Sequence, residues 1–235
     1  MSGPSLIARE DEILRTLEAL YPKRDKFALI GGYAVDAYSA LPRYSVDCDM
    51  VISSTETPGF AAFFKSQGYE DPGTLYSDEL RGLEIIRFEK PVGEDTVSVD
   101  LMVDGIRCRQ TEAVWKEREI RESSQENRVV GVNRSVQSRV ASRELLIAMK
   151  LHSGRNTDLR DVVMLADSAN WSLVAREANR GLQEKVVSQL VIASEKMGEP
   201  NFEARLKSSF GLKSSGHGRI EATIRQVNRV LAEIR

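Results

Sequence analysis

Residues 43–52 read RYSVDCDMVI, a strand-like apolar stretch with two carboxylates set two apart. A β-strand turns residues i and i+2 to the same face, so Asp47 and Asp49 are expected side by side. Like charges a few ångströms apart repel, and such a pair asks for a cation or a proton between them. Met50, Val51 and Ile52 continue the stretch as an apolar run, which makes simple solvent exposure a poor home for it. The chain is therefore expected to build a sheet in which this strand has one buried side and one charged side.

The surrounding pattern supplies such a sheet. Leu6 to Leu20 carries apolar residues at Ile13, Leu14, Leu17 and Leu20, an amphipathic helix closed by Tyr21-Pro22. Phe27 to Ile30 reads as a short buried strand broken by Gly31-Gly32, and Tyr33 to Leu41 resumes as a helix that Pro42 stops. The stretch Tyr44 to Ile52 is then a strand, and Thr57 to Gly68 a helix anchored by Phe60, Phe63 and Phe64. Leu83 to Phe88 and Val97 to Val103 flank PVGED, which is turn chemistry between two strands. In the second of these, Val97, Val99, Leu101 and Val103 share one face; Ser98, Asp100, Met102 and Asp104 share the other. Arg128 to Val132 reads as a last strand.

Beyond it the chain reads as helical: Ser142 to His152, Asp158 to Ala169, Ser172 to Arg180, Glu184 to Met197 and Ile220 to Ile234. The Gly/Ser-rich segment 207–219 reads as a loop. The expected architecture is an α/β (α+β) domain over 1–135 followed by a helical domain over 136–235.

Charge divides along similar lines. Residues 1–100 hold 10 Lys/Arg against 18 Asp/Glu, a balance of −8; residues 101–235 hold 23 against 17, a balance of +6. Either the halves neutralise each other, or an acidic metal site lies beside a phosphate-binding surface. There is no apolar run of 18 residues, so a membrane span is not expected. The first residues, MSGPSLIAREDEIL, lack the basic start and apolar block of a secretion signal. Cys48 and Cys108 suit a reducing compartment, and a cytoplasmic protein is expected; two cysteines and two histidines make a structural zinc site unpromising.

Four pieces carry chemistry. Gly31-Gly32 stands between a strand and a helix, where glycine lets the backbone approach a ligand and a helix start offers N–H groups to phosphate; a Gly-Gly turn alone is common. Asp47 and Asp49 could hold Mg²⁺ through oxygen ligands, with triphosphate oxygens completing the octahedron. Asp100, on the polar side of another strand, could be a third carboxylate of the kind used in phosphoryl or nucleotidyl transfer. The stretch SRELLIAMKLHSGRNTDLRDVVMLAD, residues 142–167, places Lys150 and Arg155 near one helix end and Asp158 and Asp161 at the next helix start. By itself that stretch reads better as a solvated turn between two helices. On a helical wheel Lys150 falls at the margin of the buried face, from which its ammonium could reach water or a substrate phosphate.

Together these pieces resemble a family. GG-x-A at 31–34 followed by R-x-S-x-D-x-D at 43–49 is similar to the first motif of the polymerase-β-type nucleotidyltransferases. The later ELLIAMKLHSGRNTDLRDVVML is similar to the closing motifs of one branch, the AbiE-type nucleotidyltransferase-like toxins of abortive-infection and toxin–antitoxin systems. The resemblance covers residues 27–167, and residues 170–235 match no named motif. It implies a nucleotidyltransferase-type mixed sheet with flanking helices and a helical C-terminal domain. Gly31 and Gly32 would shape the triphosphate turn, with Ser45 beside it and Arg43 either contacting phosphate or pairing with an aspartate. Asp47, Asp49 and Asp100 would hold Mg²⁺ or Mn²⁺, and Asp100 would also help a nucleophile lose its proton. Lys150 would serve catalysis and contact the nucleotide, and Asp158 or Asp161 would orient it. Thr157 departs from the basic residue that relatives often carry before the aspartate.

The implied activity is transfer of a nucleoside monophosphate from an NTP to a tRNA end or a protein hydroxyl, with an antitoxin protein as a further partner. Transfer to a small antibiotic-type molecule is the enzymatic alternative; a non-catalytic nucleotide-binding partner protein is the other. Residues 128–160 hold 7 Lys/Arg against 2 Asp/Glu, which favours a nucleic-acid acceptor. The presence of all three aspartates speaks against a decayed site.

Overall fold

The apolar stripe of the first helix and the alternating strands meet in one mixed sheet. The structure, a computed structural model, describes residues 4–39, 45 and 47–234. Helix α1 spans Pro4–Leu20 and a short 3-10 turn, Tyr21–Lys26, leads into β1, Phe27–Ile30. Then follow α2 (Gly31–Asp36), β2 (Asp47–Ile52), α3 (Thr57–Ser66), β3 (Glu70–Asp78), β4 (Leu83–Val92) and β5 (Asp95–Val103). A small ribbon, β6 (Gly105–Arg107) and β7 (Val114–Lys116), precedes α4 (Glu117–Glu122), β8 (Gln125–Val130) and β9 (Ser135–Val140).

Seven strands lie in the order β3-β4-β5-β2-β1-β9-β8. β2 runs parallel to β5 and β1 parallel to β9; the other neighbours are antiparallel. Gly93 and Glu94 form the two-residue turn between β4 and β5, with Gly93 at φ +64° and Val92 opposite Asp95. Only a residue that tolerates positive φ closes so tight a turn cheaply.

One side of the sheet is the core. Ile13, Leu14, Leu17 and Leu20 of α1 are fully buried, as the stripe requires. From α3, Phe64 stacks on Phe88 of β4 with centroids 5.1 Å apart, and Phe60 meets Phe27 edge-on at 6.0 Å. Tyr69 joins the cluster, and its hydroxyl shares a hydrogen bond with Thr16 of α1. Val97, Val99, Leu101 and Val103 face this core. α4 packs against β1 and β2.

The chain forms two compact units, residues 1–106 with 115–141, and residues 107–114 with 142–235. The second unit is helical: α5 (Arg143–Ser153), α6 (Asn156–Leu165), α7 (Trp171–Ala178), α8 (Gln183–Met197), α9 (Phe202–Phe210) and α10 (His217–Ile234). Ser142 caps α5, its hydroxyl accepting from the Leu145 N–H at 3.3 Å. The excursion 107–114 belongs here because Thr111 bonds His152 of α5 and its carbonyl accepts from the Leu182 N–H.

Several elements depart from the sequence reading. The ribbon of β6 and β7 and the helix α4 were not expected, and the end of the helix read over Tyr33 to Leu41 lies outside the described residues. Segment 207–219 was expected to be a loop, yet α9 runs through Phe210, because Phe202, Leu206 and Phe210 form a buried i, i+4, i+8 stripe. Strand β3 was missed because it holds Pro72 and Gly73 and is broken by register shifts. Strand β9 follows the segment read as the last strand; its buried Ser138 interrupts the alternation of Val136 and Val140. No helix among the described residues is long and apolar enough to cross a membrane.

Candidate active site

The site grows from one row across the sheet. Ile30 of β1 lies opposite Asp49 of β2, Asp49 opposite Asp100 of β5, and Asp100 opposite Arg87 of β4. One step along, Asp47 lies opposite Ser98 and Ser98 opposite Glu89. Directly opposed residues project from the same face, so Asp47, Asp49, Ser98, Asp100 and Arg87 share the face away from the phenylalanine core. Cys48 points the other way and is fully buried. Burial pushes its thiol well above the ordinary range, and the charges of Asp49, Asp100 and Asp47 push it further. This thiol is inert, and all three carboxylates act on it.

Each carboxylate has its own setting. Asp47 Oδ1 accepts from the Ser98 hydroxyl at 2.5 Å. Asp49 lies against the backbone of Gly31, where a Cβ would come within 1.9 Å of its Oδ2. Gly31 also stands at φ +67°, so both conformation and space require glycine. Asp100 is gripped at both oxygens: Arg87 Nε donates to Oδ1 at 2.7 Å and Nη2 to Oδ2 at 2.8 Å. This two-pronged bond raises the guanidinium pKa further above its ordinary value.

Ser45 is held by its backbone: its carbonyl accepts from the buried Tyr33 hydroxyl at 2.9 Å, and its own hydroxyl donates to the Asp47 carbonyl at 3.1 Å. Gly32 is buried in the first turn of α2, a helix of six residues. Arg43 lies outside the described residues.

Lys150, Asp158 and Asp161 gather in the second unit. Lys150 Nζ donates to Asp158 Oδ1 at 3.0 Å and to Asp161 Oδ2 at 2.7 Å. Asp158 Oδ2 accepts from the Ser153 hydroxyl and from Arg155 Nε, each at 2.6 Å. Burial pushes the Asp158 carboxyl up, but Lys150, Arg155 and Ser153 outweigh it and hold its pKa at about 2. Lys150 is only 6% exposed, deeper than the helical wheel implied, because α6 brings two carboxylates over its edge of α5.

Sequence reasoning missed Arg87, Ser98 and Tyr33 as members of this neighbourhood. For Arg87 a signal existed. Counting five residues back from Val92 and five forward from Asp95 sets 87 opposite 100, once PVGED is read as a two-residue turn.

The donor chemistry suits a hard divalent cation at Asp47 and Asp49, two oxygen donors on one face. At Asp100 the fit requires Arg87 to let go. Among the described residues, no group of three His, Cys, Asp or Glu side chains is arranged to hold a metal ion.

No family model and no curated protein matches the chain. Solved structures match it in fold. JHP933 from Helicobacter pylori is similar over 100% of this chain and 95% of its own, with a TM-score of 0.51 at 13% identity. A candidate nucleotidyltransferase from H. pylori is similar over 100% of this chain and 97% of its own, with a TM-score of 0.50 at 14% identity. The lincosamide antibiotic adenylyltransferase LnuA, bound to lincomycin, covers 68% of this chain and 98% of its own, at a TM-score of 0.45 and 17% identity. At such identities the likeness is one of architecture, and the chain has a nucleotidyltransferase-like fold.

Proposed function

We propose that the protein is a metal-dependent nucleotidyltransferase that moves a nucleoside monophosphate from an NTP to an acceptor hydroxyl and releases pyrophosphate. The observation that carries this reading is the shared face of Asp47, Asp49 and Asp100, with the Gly31 backbone pressed against Asp49. Asp47 and Asp49 would hold Mg²⁺ or Mn²⁺, which when bound neutralises charge on the phosphate under attack. Ser98 orients Asp47, and the Gly31-Gly32 backbone leaves room for triphosphate beside Asp49. Asp100 is the carboxylate read as accepting the proton of the attacking hydroxyl. Arg43, Ser45, Lys150, Asp158 and Asp161 are proposed as the nucleotide-side residues.

The net-positive stretch 128–160 supports a tRNA end as acceptor. A toxin partnered by an antitoxin is the biological setting this acceptor suits. The test is incubation of the full chain with each labelled NTP, Mg²⁺ and total tRNA. Label on tRNA supports the reading as stated. Label on protein or on a small aminoglycoside- or lincosamide-type acceptor changes the acceptor class. Absence of both label transfer and pyrophosphate release with every acceptor overturns the enzyme reading.

A further inference from the structure

We propose that Arg87 is an internal counter-ion that closes Asp100 to a divalent cation until a nucleotide arrives with it, making metal and nucleotide binding interdependent. The proposal rests on the reading of Asp47, Asp49 and Asp100 as one site. Its observations are the cross-strand register of Arg87 with Asp100 and the engagement of both carboxylate oxygens by one guanidinium. The Asp100 side chain is only 10% exposed, whereas Arg87, which reaches it from the neighbouring strand, is 29% exposed.

An arginine does not give up its proton in a protein, so the pair opens by exchange of partners and not by titration. A cation seated at Asp47 and Asp49 that recruits Asp100 must push a fixed positive charge off it. Metal alone offers Asp100 a partner but leaves Arg87 only the weaker pull of Asp47 and Glu89. A metal–triphosphate complex brings the cation for Asp100 and anionic oxygens for Arg87 together, so every charge stays paired through the exchange. The guanidinium thus weights the site toward the metal–nucleotide complex over the bare ion.

The test measures protein-bound Mn²⁺ by water-proton relaxation on the full chain, with and without the non-transferable analogue α,β-methylene-ATP. Wild type is expected to bind Mn²⁺ alone weakly and at least ten-fold tighter with the analogue. Arg87→Met should bind Mn²⁺ alone at least ten-fold tighter than wild type and lose most of the analogue's enhancement. Arg87→Lys keeps the charge but cannot cover both oxygens, and should fall between; it also carries the comparison if Arg87→Met does not fold. In an Asp100→Asn background Arg87→Met should give no gain, which separates the specific pair from a general loss of positive charge. Unchanged Mn²⁺ affinity in both Arg87 variants, or an equal gain in the Asp100→Asn background, overturns the counter-ion role. If wild-type binding is then still abolished by Asp49→Asn, the site reading survives that failure. No Mn²⁺ binding in any variant, with or without the analogue, overturns both.

Discussion

Gly31 and Asp49 are set by each other. The carboxylate occupies the space where any other residue at 31 would carry its Cβ, and the backbone there is left-handed. Gly31→Ala should therefore cost about 1–3 kcal/mol from backbone strain alone, and more from the displaced carboxylate. Denaturant midpoints in wild-type and Asp49→Ala backgrounds separate the two contributions: the penalty should shrink, not vanish, once the carboxylate is gone. Lys150 poses the opposite question. With Lys150 at the margin of the buried face and assigned to the nucleotide by the resemblance, a Lys150→Met chain would fold normally and lose only nucleotide handling. The ammonium instead lies between two buried carboxylates, and removing it leaves them facing each other in low dielectric. Breaking such a buried set costs about 3–5 kcal/mol. A urea midpoint matching wild type would show the ammonium to be structurally dispensable and return weight to the nucleotide role.

At the level of elements, the sheet is rigid where the site needs it because α3 drives aromatic rings into its reverse face. Phe64 is fully buried and meets Phe60, Phe63, Tyr69 and Phe88. Phe64→Ala should destabilise the first unit by about 3–5 kcal/mol through lost burial and the cavity left behind. Hydrogen exchange at β4 and β5 would report it, and unchanged protection there would mean that α3 does not hold these strands. The strands themselves were largely legible: β1 was read at its observed bounds, and the alternation of β5 sorted core from polar side correctly. The helices α5, α8 and α10 were legible too, from their stripes. Strands β3 and β9 were not, because their stabilising partners lie in β4, β8 and β1 and not in their own composition.

Across the whole molecule, the two units carry different chemistry: aspartates on a sheet in the first, buried ionisable groups among helices in the second. His152 of α5 makes the second unit acid-sensitive. The Ala178 carbonyl can only accept, so Nε2 donates to it at 2.9 Å, and Nδ1 takes a bond from the Thr111 hydroxyl at 2.6 Å. Burial, despite the Ala178 bond, and with help from the Arg180 charge, lowers the imidazole pKa to about 4. The unfolded chain, with histidine near pH 6.5, then binds more protons than the folded one between those values, so stability falls as pH drops through that window. The full loss is about 3 kcal/mol, and Asp158 adds to it below about pH 4, as its lowered carboxyl is protonated. Protection factors at α5 and α7, that is, exchange corrected for its intrinsic pH dependence, should fall from pH 7 to pH 5 in wild type and much less in His152→Gln; an equal fall in both would clear the histidine. None of this was visible in sequence, where His152 is one polar residue after an apolar stripe. The sequence by itself determined the kinds of element, the shared face of Asp47 and Asp49, and the glycines beside them, because periodicity and turn chemistry are local properties of a few neighbouring residues. Only the tertiary structure decided that Arg87 covers Asp100, that Lys150 is enclosed by Asp158 and Asp161, and that Thr111, 41 residues upstream of His152, completes its hydrogen bonds. Strand register and helix packing select those partners, and both depend on burial summed over distant parts of the chain.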